Sequence, residues 1–194
     1  MTAIKKQFIS PEALRVDSFK LAARIVDSGF KPDFLVAIWR GGAPVGCYVH
    51  EFLKYFGIVS DHISIRTSRY SGIDEAQSHV AVHNLAYLLE RLTKASRVLL
   101  IDDVFDSGFS IQAILCELSK RLESNMPKDI RVATIFYKPS RNQLPRIPDF
   151  YVHESDAWLV FPHELEKLSL DEINEHFGSE IAKLVIETRA KISF

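Results

Sequence analysis

Three carboxylates crowd one short stretch of the chain. In VLLIDDVFDSGFS, residues 98–110, an apolar run ends on Asp102 and Asp103, and Asp106 follows beside Ser107, Gly108 and Ser110. Acids at the end of a dry strand carry a desolvation cost that needs a reason. The turn DSGFS can direct successive backbone N–H groups inward, with Gly108 tolerating a positive φ and Ser107 and Ser110 adding hydroxyl donors. A helix beginning there offers its positive N-terminus as well. That combination cradles a phosphate. Asp102 and Asp103 are unsuited to a phosphate, but they can accept hydrogen bonds from sugar hydroxyls or reach a divalent cation through water. The ligand this chemistry describes is a phosphorylated sugar accompanied by Mg2+.

A second stretch, WRGG at Trp39–Gly42, closes another apolar run. Two glycines allow close backbone approach, and exposed N–H groups with the Arg40 guanidinium suit a pyrophosphate. Both stretches need strands that end at the same edge of a sheet. FLVAI (Phe34–Ile38), HISIR, VLLID and IRVATIFY read as buried strands, and the shorter DFYVH and WLVFP follow. Helical stripes alternate with them. Leu14, Leu21 and Ile25 recur after a Ser10 cap and Pro11, and the run stops at Gly29. Val45, Val49, Phe52, Leu53 and Phe56 form the next stripe, and Ile111, Leu115, Leu118 and Leu122 line the helix after the acids. Between the second and third strands, TSRYSGIDEAQSH has no apolar period and reads as a long mobile loop, after which Val82, Leu85, Leu89 and Leu92 predict a helix. Ser169 with Glu172 forms a capping box for a C-terminal helical segment interrupted at Gly178.

Alternating strands and helices imply an α/β fold with a mostly parallel sheet, whose ligands bind outside the carboxyl ends of the strands. The 194 residues, 47% hydrophobic and 25% charged, suffice for one sizeable core. Twenty-four basic residues against twenty-five acidic ones leave a net charge of -1, so no overall positive field recruits nucleic acid or an anionic membrane. No apolar run approaches transmembrane length. Cys47 and Cys116 fall in amphipathic helical patterns without a preceding signal peptide, and reduced thiols in a cytoplasmic protein are expected. A phosphoacceptor receiver domain also pairs acids with magnesium, but it carries them on its first strand, whereas here they fall mid-chain and Lys138 follows a later strand.

The string LLIDDVFDSGFS resembles the fingerprint of the type I phosphoribosyltransferases: an apolar strand, two acids, two variable residues, an acid and a Thr-Gly-Gly-Thr-like loop. Serines replace both threonines and keep the hydroxyls, while Phe109 stands at the second glycine. The resemblance covers residues 33–164. It implies a single domain over residues 1–194 with the type I fold: a mostly parallel twisted sheet flanked by helices, a small hood, and helical extensions over residues 1–32 and 165–194. These extensions are expected to cover the site or to form a dimer contact, in a homodimer or higher homo-oligomer.

Within that family the chain is most similar to the purine branch, the xanthine-guanine and hypoxanthine-guanine enzymes. The resemblance implies that Asp102 and Asp103 hold the ribose hydroxyls of 5-phosphoribosyl 1-diphosphate (PRPP) and serve Mg2+. It further implies that Asp106, Ser107, Gly108, Phe109 and Ser110 bind the 5-phosphate, and that Arg40, Gly41 and Gly42 form the diphosphate loop after a cis Trp39–Arg40 bond. Ser68, Arg69 and Tyr70 would open the catalytic hood, where Arg66 and Arg69 neutralise the departing diphosphate. FYKPSRN and ESDAWLVFPHE correspond to the base-recognition blocks. Lys138 would donate to the 6-oxo group and N7, Trp158 would stack on the purine, the Leu159 backbone would read the ring edge, and Glu164 would stand near the second metal. Asp106, Lys138 and Arg40 are the expected catalytic residues. The activity implied is Mg2+-dependent transfer of phosphoribose from PRPP to guanine, hypoxanthine or xanthine. A PRPP- or nucleotide-binding regulator on the same fold, and a transferase for a non-purine base, are the alternatives.

Overall fold

A computed structural model describes residues 6–70 and 79–192; for Arg69, Tyr70 and His79 it describes the backbone only. The chain divides into two compact units. The larger is Arg15–Asp156, and the smaller joins residues 6–14 to residues 157–192.

Among the described residues the larger unit has a six-stranded sheet. In chain order its strands are β2 (Phe34–Trp39), β3 (Asp61–Tyr70), β4 (His79–His83), β5 (Arg97–Phe105), β6 (Asp129–Tyr137) and β7 (Phe150–Glu154), with β1 (Lys6–Phe8) belonging to the smaller unit. The spatial order is β4-β3-β2-β5-β6-β7. Every pairing is parallel except that of β3 with β4. Parallel strands buried on both faces read as continuous apolar runs, and Leu35–Ile38 and Val98–Ile101 are all buried. Helices α2 (Gly42–Tyr55), α3 (Ala86–Arg91) and α4 (Phe109–Leu122) connect or flank these strands, following α1 (Pro11–Asp27), within which the division between the units falls. Leu88, Ile111, Ile114 and Leu118 join Val36, Ile38, Ile65, Val98, Leu100 and Val132 in one core cluster.

The chain leaves β2 toward β3 on one side and its later strands extend from β5 on the other. The strand order therefore reverses between β2 and β5, where a crevice opens at the carboxyl ends of an open α/β sheet. TheArg97 end of this pair is fixed by Asp33, whose carboxylate accepts from the Arg97 backbone N–H at 2.8 Å and from its guanidinium at 2.8 and 3.2 Å.

The smaller unit holds β1 paired in parallel with β8 (Trp158–Val160), together with α5 (Leu170–Phe177) and α6 (Ser179–Lys191). Ser169 and Glu172 form the expected capping box, and Gly178, at φ 95°, separates the two helices. Lys6 donates to Glu172 at 2.6 Å and Phe8 stacks on His176. Strand β1 has three residues, too few for an alternating period to register in the sequence.

One segment corrects the sequence reading. Thr67–Tyr70 and His79 do not belong to a loop: they continue β3 and begin β4, an antiparallel ladder running from Arg66↔His83 to Tyr70↔His79. Residues 71–78 lie outside the described residues. Val82 accordingly sits in a strand, and the helix expected to begin there is the six-residue α3. The polar residues of this ribbon lack strand-like hydrophobicity because only one of its faces needs an apolar partner.

Candidate functional site

The site assembles from the ends of β2 and β5 inside the larger unit. Trp39–Arg40 is in the cis form, and Gly41 and Gly42 are buried immediately after it. Both glycines are required by close approach: a Cβ on Gly41 would overlap the Asp103 carboxylate, and one on Gly42 would overlap the Ile101 carbonyl oxygen. The WRGG turn and the acid pair thus touch across the strand boundary.

Helix α2 starts at this turn with Gly41 as its cap, and α4 starts after Gly108, whose φ is 83°; neither cap residue supplies a side chain to the first amides, and in α2 the Gly42 N–H donates to Asp102. Two fourteen-residue helices therefore present positive N-termini at the same edge of adjacent strands, that of α4 with no capping side chain and that of α2 with only the Gly42 amide taken, by Asp102. No acidic residue occupies the first turn of either. Both ends are suited to anions.

The acids sit beside these ends. Asp103 is buried and Asp102 partly so; Asp102 accepts the backbone N–H of Asp103 at 3.0 Å and is also bonded by that of Gly42. Burial pushes the Asp102 carboxyl well above the usual carboxylate range, and the neighbouring Asp103 charge adds to the rise. These two side chains fit a magnesium ion approached through water, although no cluster of three or more ligating side chains exists among the described residues.

Asp106 is gripped from the β6–β7 connection. Arg141 Nε donates to its Oδ1 at 2.6 Å, and the ammonium of buried Lys138 lies 3.7 Å from Oδ2. The Lys138 backbone N–H donates to the Phe105 carbonyl at 2.9 Å, and that of Gln143 to the Ser107 carbonyl at 3.3 Å. Leu144 packs over Gly108, so that a Cβ there would come 2.8 Å from Leu144 Cδ1 and 3.0 Å from Phe105 Cζ. The connection therefore backs the turn at Ser107 and Gly108. Ser110 meets Thr67 of β3 at 3.5 Å, and Ser68 bonds His83 across the ribbon at 3.0 Å.

The larger unit brings together Arg40, Gly41, Gly42, Asp102, Asp103, Asp106, Ser107, Gly108, Phe109, Ser110 and Lys138 at one end of its sheet. Ser68, Arg69 and Tyr70 lie at the far end of β3. Trp158, Leu159 and Glu164 belong to the smaller unit: Trp158 is half exposed on β8, Leu159 is buried beside it, and Glu164 accepts the Phe161 N–H at 3.1 Å. Arg141 falls within the FYKPSRN block without a role of its own there, and Gln143 and Leu144 lie just beyond it. Only the spacing of Arg141 three residues beyond Lys138 marked it, and that spacing acquires meaning once the turn after Lys138 folds back on Asp106.

A parallel α/β sheet with a phosphate-type turn and an acid pair at its switch point defines a class of proteins that handle phosphorylated ligands at strand ends. Residues 12–169 match the Phosphoribosyl transferase domain family. The chain belongs to that family and is by class a transferase. No curated protein sequence matches it. Among solved structures it is similar to a hypothetical protein from Neisseria gonorrhoeae with bound ppGpp, at 22% identity over 91% of this chain and 97% of that one, with a TM-score of 0.71. The purine phosphoribosyltransferase from Pyrococcus horikoshii is 23% identical over 84% of this chain and 97% of that one, with a TM-score of 0.66. The xanthine-guanine-hypoxanthine phosphoribosyltransferase of Helicobacter pylori is 21% identical over 89% of this chain and all of that one, at a TM-score of 0.65. The fold is that of the purine phosphoribosyltransferases.

Proposed function

We propose that the protein transfers the 5-phosphoribosyl group of PRPP to a 6-oxopurine, giving the nucleoside 5-monophosphate and diphosphate in a purine-salvage reaction that requires Mg2+. The observation that carries this reading is that two helix N-termini and the acid pair lie together at the β2/β5 switch point. One anion-binding end per phosphate-bearing arm, with carboxylates between them for the ribose, matches the layout of PRPP.

In this reading Ser107–Ser110 and the start of α4 take the 5-phosphate, and Arg40 with the Gly41–Gly42 amides takes the diphosphate. Asp102 and Asp103 accept from the ribose hydroxyls and hold the metal, which when bound would offset charge on the leaving diphosphate. The C1–O bond breaks as purine N9 attacks C1 from the opposite face, with inversion there. Asp106 accepts the proton released from the purine, and Lys138 donates to the 6-oxo group as negative charge grows on it. Trp158, Leu159 and Glu164 keep the base-contacting and metal roles the family resemblance implies, and a cytoplasmic homodimer or higher homo-oligomer belongs to the same proposal.

The test is monophosphate formation with PRPP and magnesium, run in parallel with guanine, hypoxanthine, xanthine, adenine, uracil and orotate. Turnover confined to the three oxopurines is expected. Turnover with uracil or orotate alone would replace the base assignment and keep the transferase. A second reading, a nucleotide-binding regulator on this fold, is supported by the ppGpp bound to the similar Neisseria gonorrhoeae protein. Tight PRPP or nucleotide binding without turnover on any base would select it.

A further inference from the structure

A second concave site lies in the larger unit away from the β2/β5 crevice, where α4, the segment after it, β6 and the β6–β7 connection meet. Its cavity holds about 580 Å³, within the range of small-ligand sites. Leu115, Met126, Pro127 and Ile130 make an apolar floor, and Lys120, Lys128 and Arg146 stand among its lining residues. Leu115, Met126 and Ile130 are only partly buried, packed against the core on one side. No acid lines the cavity.

The charges are asymmetric. Arg146 is fixed, donating through Nη2 to the Ile130 carbonyl at 2.6 Å and to Asp149 at 3.2 Å, so its charge is already met. Its Nε–H is buried and has no hydrogen-bond partner among the described residues. Neither Lys120 nor Lys128 forms an ion pair with any described residue, so two full positive charges flank an apolar floor.

We propose that this cavity is a binding site for a small phosphorylated ligand with an apolar body, distinct from the PRPP crevice. The lysines meet the phosphate charge, and the apolar part covers Leu115, Met126 and Ile130. Met126 adapts readily to such a surface. A protein partner is disfavoured by the lining, because lysines are depleted from the cores of protein interfaces. The inference does not depend on the transferase reading.

Cys116 lines the same cavity and is exposed, while Cys47, also exposed, lies outside it on α2. Iodoacetamide alkylation of the two thiols, followed by peptide mass spectrometry, therefore reads the site with an internal control. ATP is the probe, and inorganic tripolyphosphate tests charge alone. At ATP about ten times its dissociation constant, Cys116 alkylation is expected to slow roughly tenfold with Cys47 unchanged, and tripolyphosphate to protect less. The ratio of rates with and without ATP should return to unity in Lys120→Ala/Lys128→Ala, two exposed substitutions whose folding is checked by the Cys47 rate. No protection at millimolar ATP, or protection that survives the double variant, overturns the site. Equal protection by tripolyphosphate overturns the apolar body, and ATP-independent protection that grows with protein concentration assigns the surface to a second copy instead.

Discussion

Arg141 donates from Nε to Oδ1 of Asp106 at 2.6 Å, and the Lys138 ammonium lies 3.7 Å from the other carboxylate oxygen. Two cations on one acid fix its orientation. Arg141 is itself more than half exposed, whereas Lys138 is buried, so the pair divides the work: Lys138 is held in place, and Arg141 holds.

This geometry makes Arg141 a positioning residue for Asp106. Arg141→Ala is expected to lower kcat about tenfold with little change in the dissociation constant of PRPP, because the turn amides are untouched. Arg141→Lys should restore only part of the loss, since an ammonium lacks the planar donor set. Asp106→Asn should cost about a hundredfold or more in turnover with PRPP binding retained. Steady-state kinetics beside equilibrium PRPP binding separates the cases, and an unchanged kcat in Arg141→Ala would detach Arg141 from Asp106.

The acid pair sets function against stability. The Asp102 carboxyl titrates well above the usual range in the folded protein, so the folded state holds its proton more tightly than the unfolded chain does. Its contribution to stability is fully present below about pH 4, the ordinary carboxylate value, and is lost as pH rises through the folded pKa. Asp102→Asn should therefore raise Tm at neutral pH by roughly 2–4 °C for each kcal/mol recovered, and the gain should shrink as pH falls toward 4. PRPP binding should weaken in the same variant. A Tm at or below the parent across this range would show that the pair is not strained.

Gly108 combines a left-handed backbone with close contact. Gly108→Ala adds a methyl 2.8 Å from Leu144 Cδ1 on a residue at φ 83°, and should cost about 1–3 kcal/mol together with most of the PRPP affinity. Leu144→Ala in the same chain relieves the contact but not the φ, so it should return only part of the stability. Denaturant midpoints of the single and double variants measure the two parts. Additive losses would mean that Leu144 does not press on the turn.

Much of this arrangement was legible in the sequence because the parallel sheet writes its strands as continuous apolar runs. FLVAI and VLLID became β2 and β5, and the residues that follow them became the site. The Ser169–Glu172 box likewise announced α5. The ribbon of β3 and β4 escaped because an antiparallel edge need not be apolar, and its polar residues resembled a loop. The Arg141–Asp106 pair escaped for a different reason. Thirty-five positions separate the two residues, and only the folded β6–β7 connection brings them together.

On the proposed activity, the buried cation bears on base selection. Lys138 follows β6, its backbone bonded to Phe105 and its ammonium facing Asp106, so it can present a donor but no acceptor. Such a donor pairs with a 6-oxo group and meets the wrong polarity in the amino group of adenine. A site built to hydrogen-bond a substrate discriminates far more strongly than one built on shape. Lys138→Ala should accordingly lower kcat/KM for the oxopurines by about tenfold or more while leaving the slow rate with adenine nearly unchanged, so that the preference narrows. Arg141 still pairs with Asp106 in that variant, which keeps the proton acceptor in place. Competition between hypoxanthine and adenine in one reaction, read by the ratio of the two monophosphates, measures the change directly. A ratio equal to the parent's would remove Lys138 from base recognition.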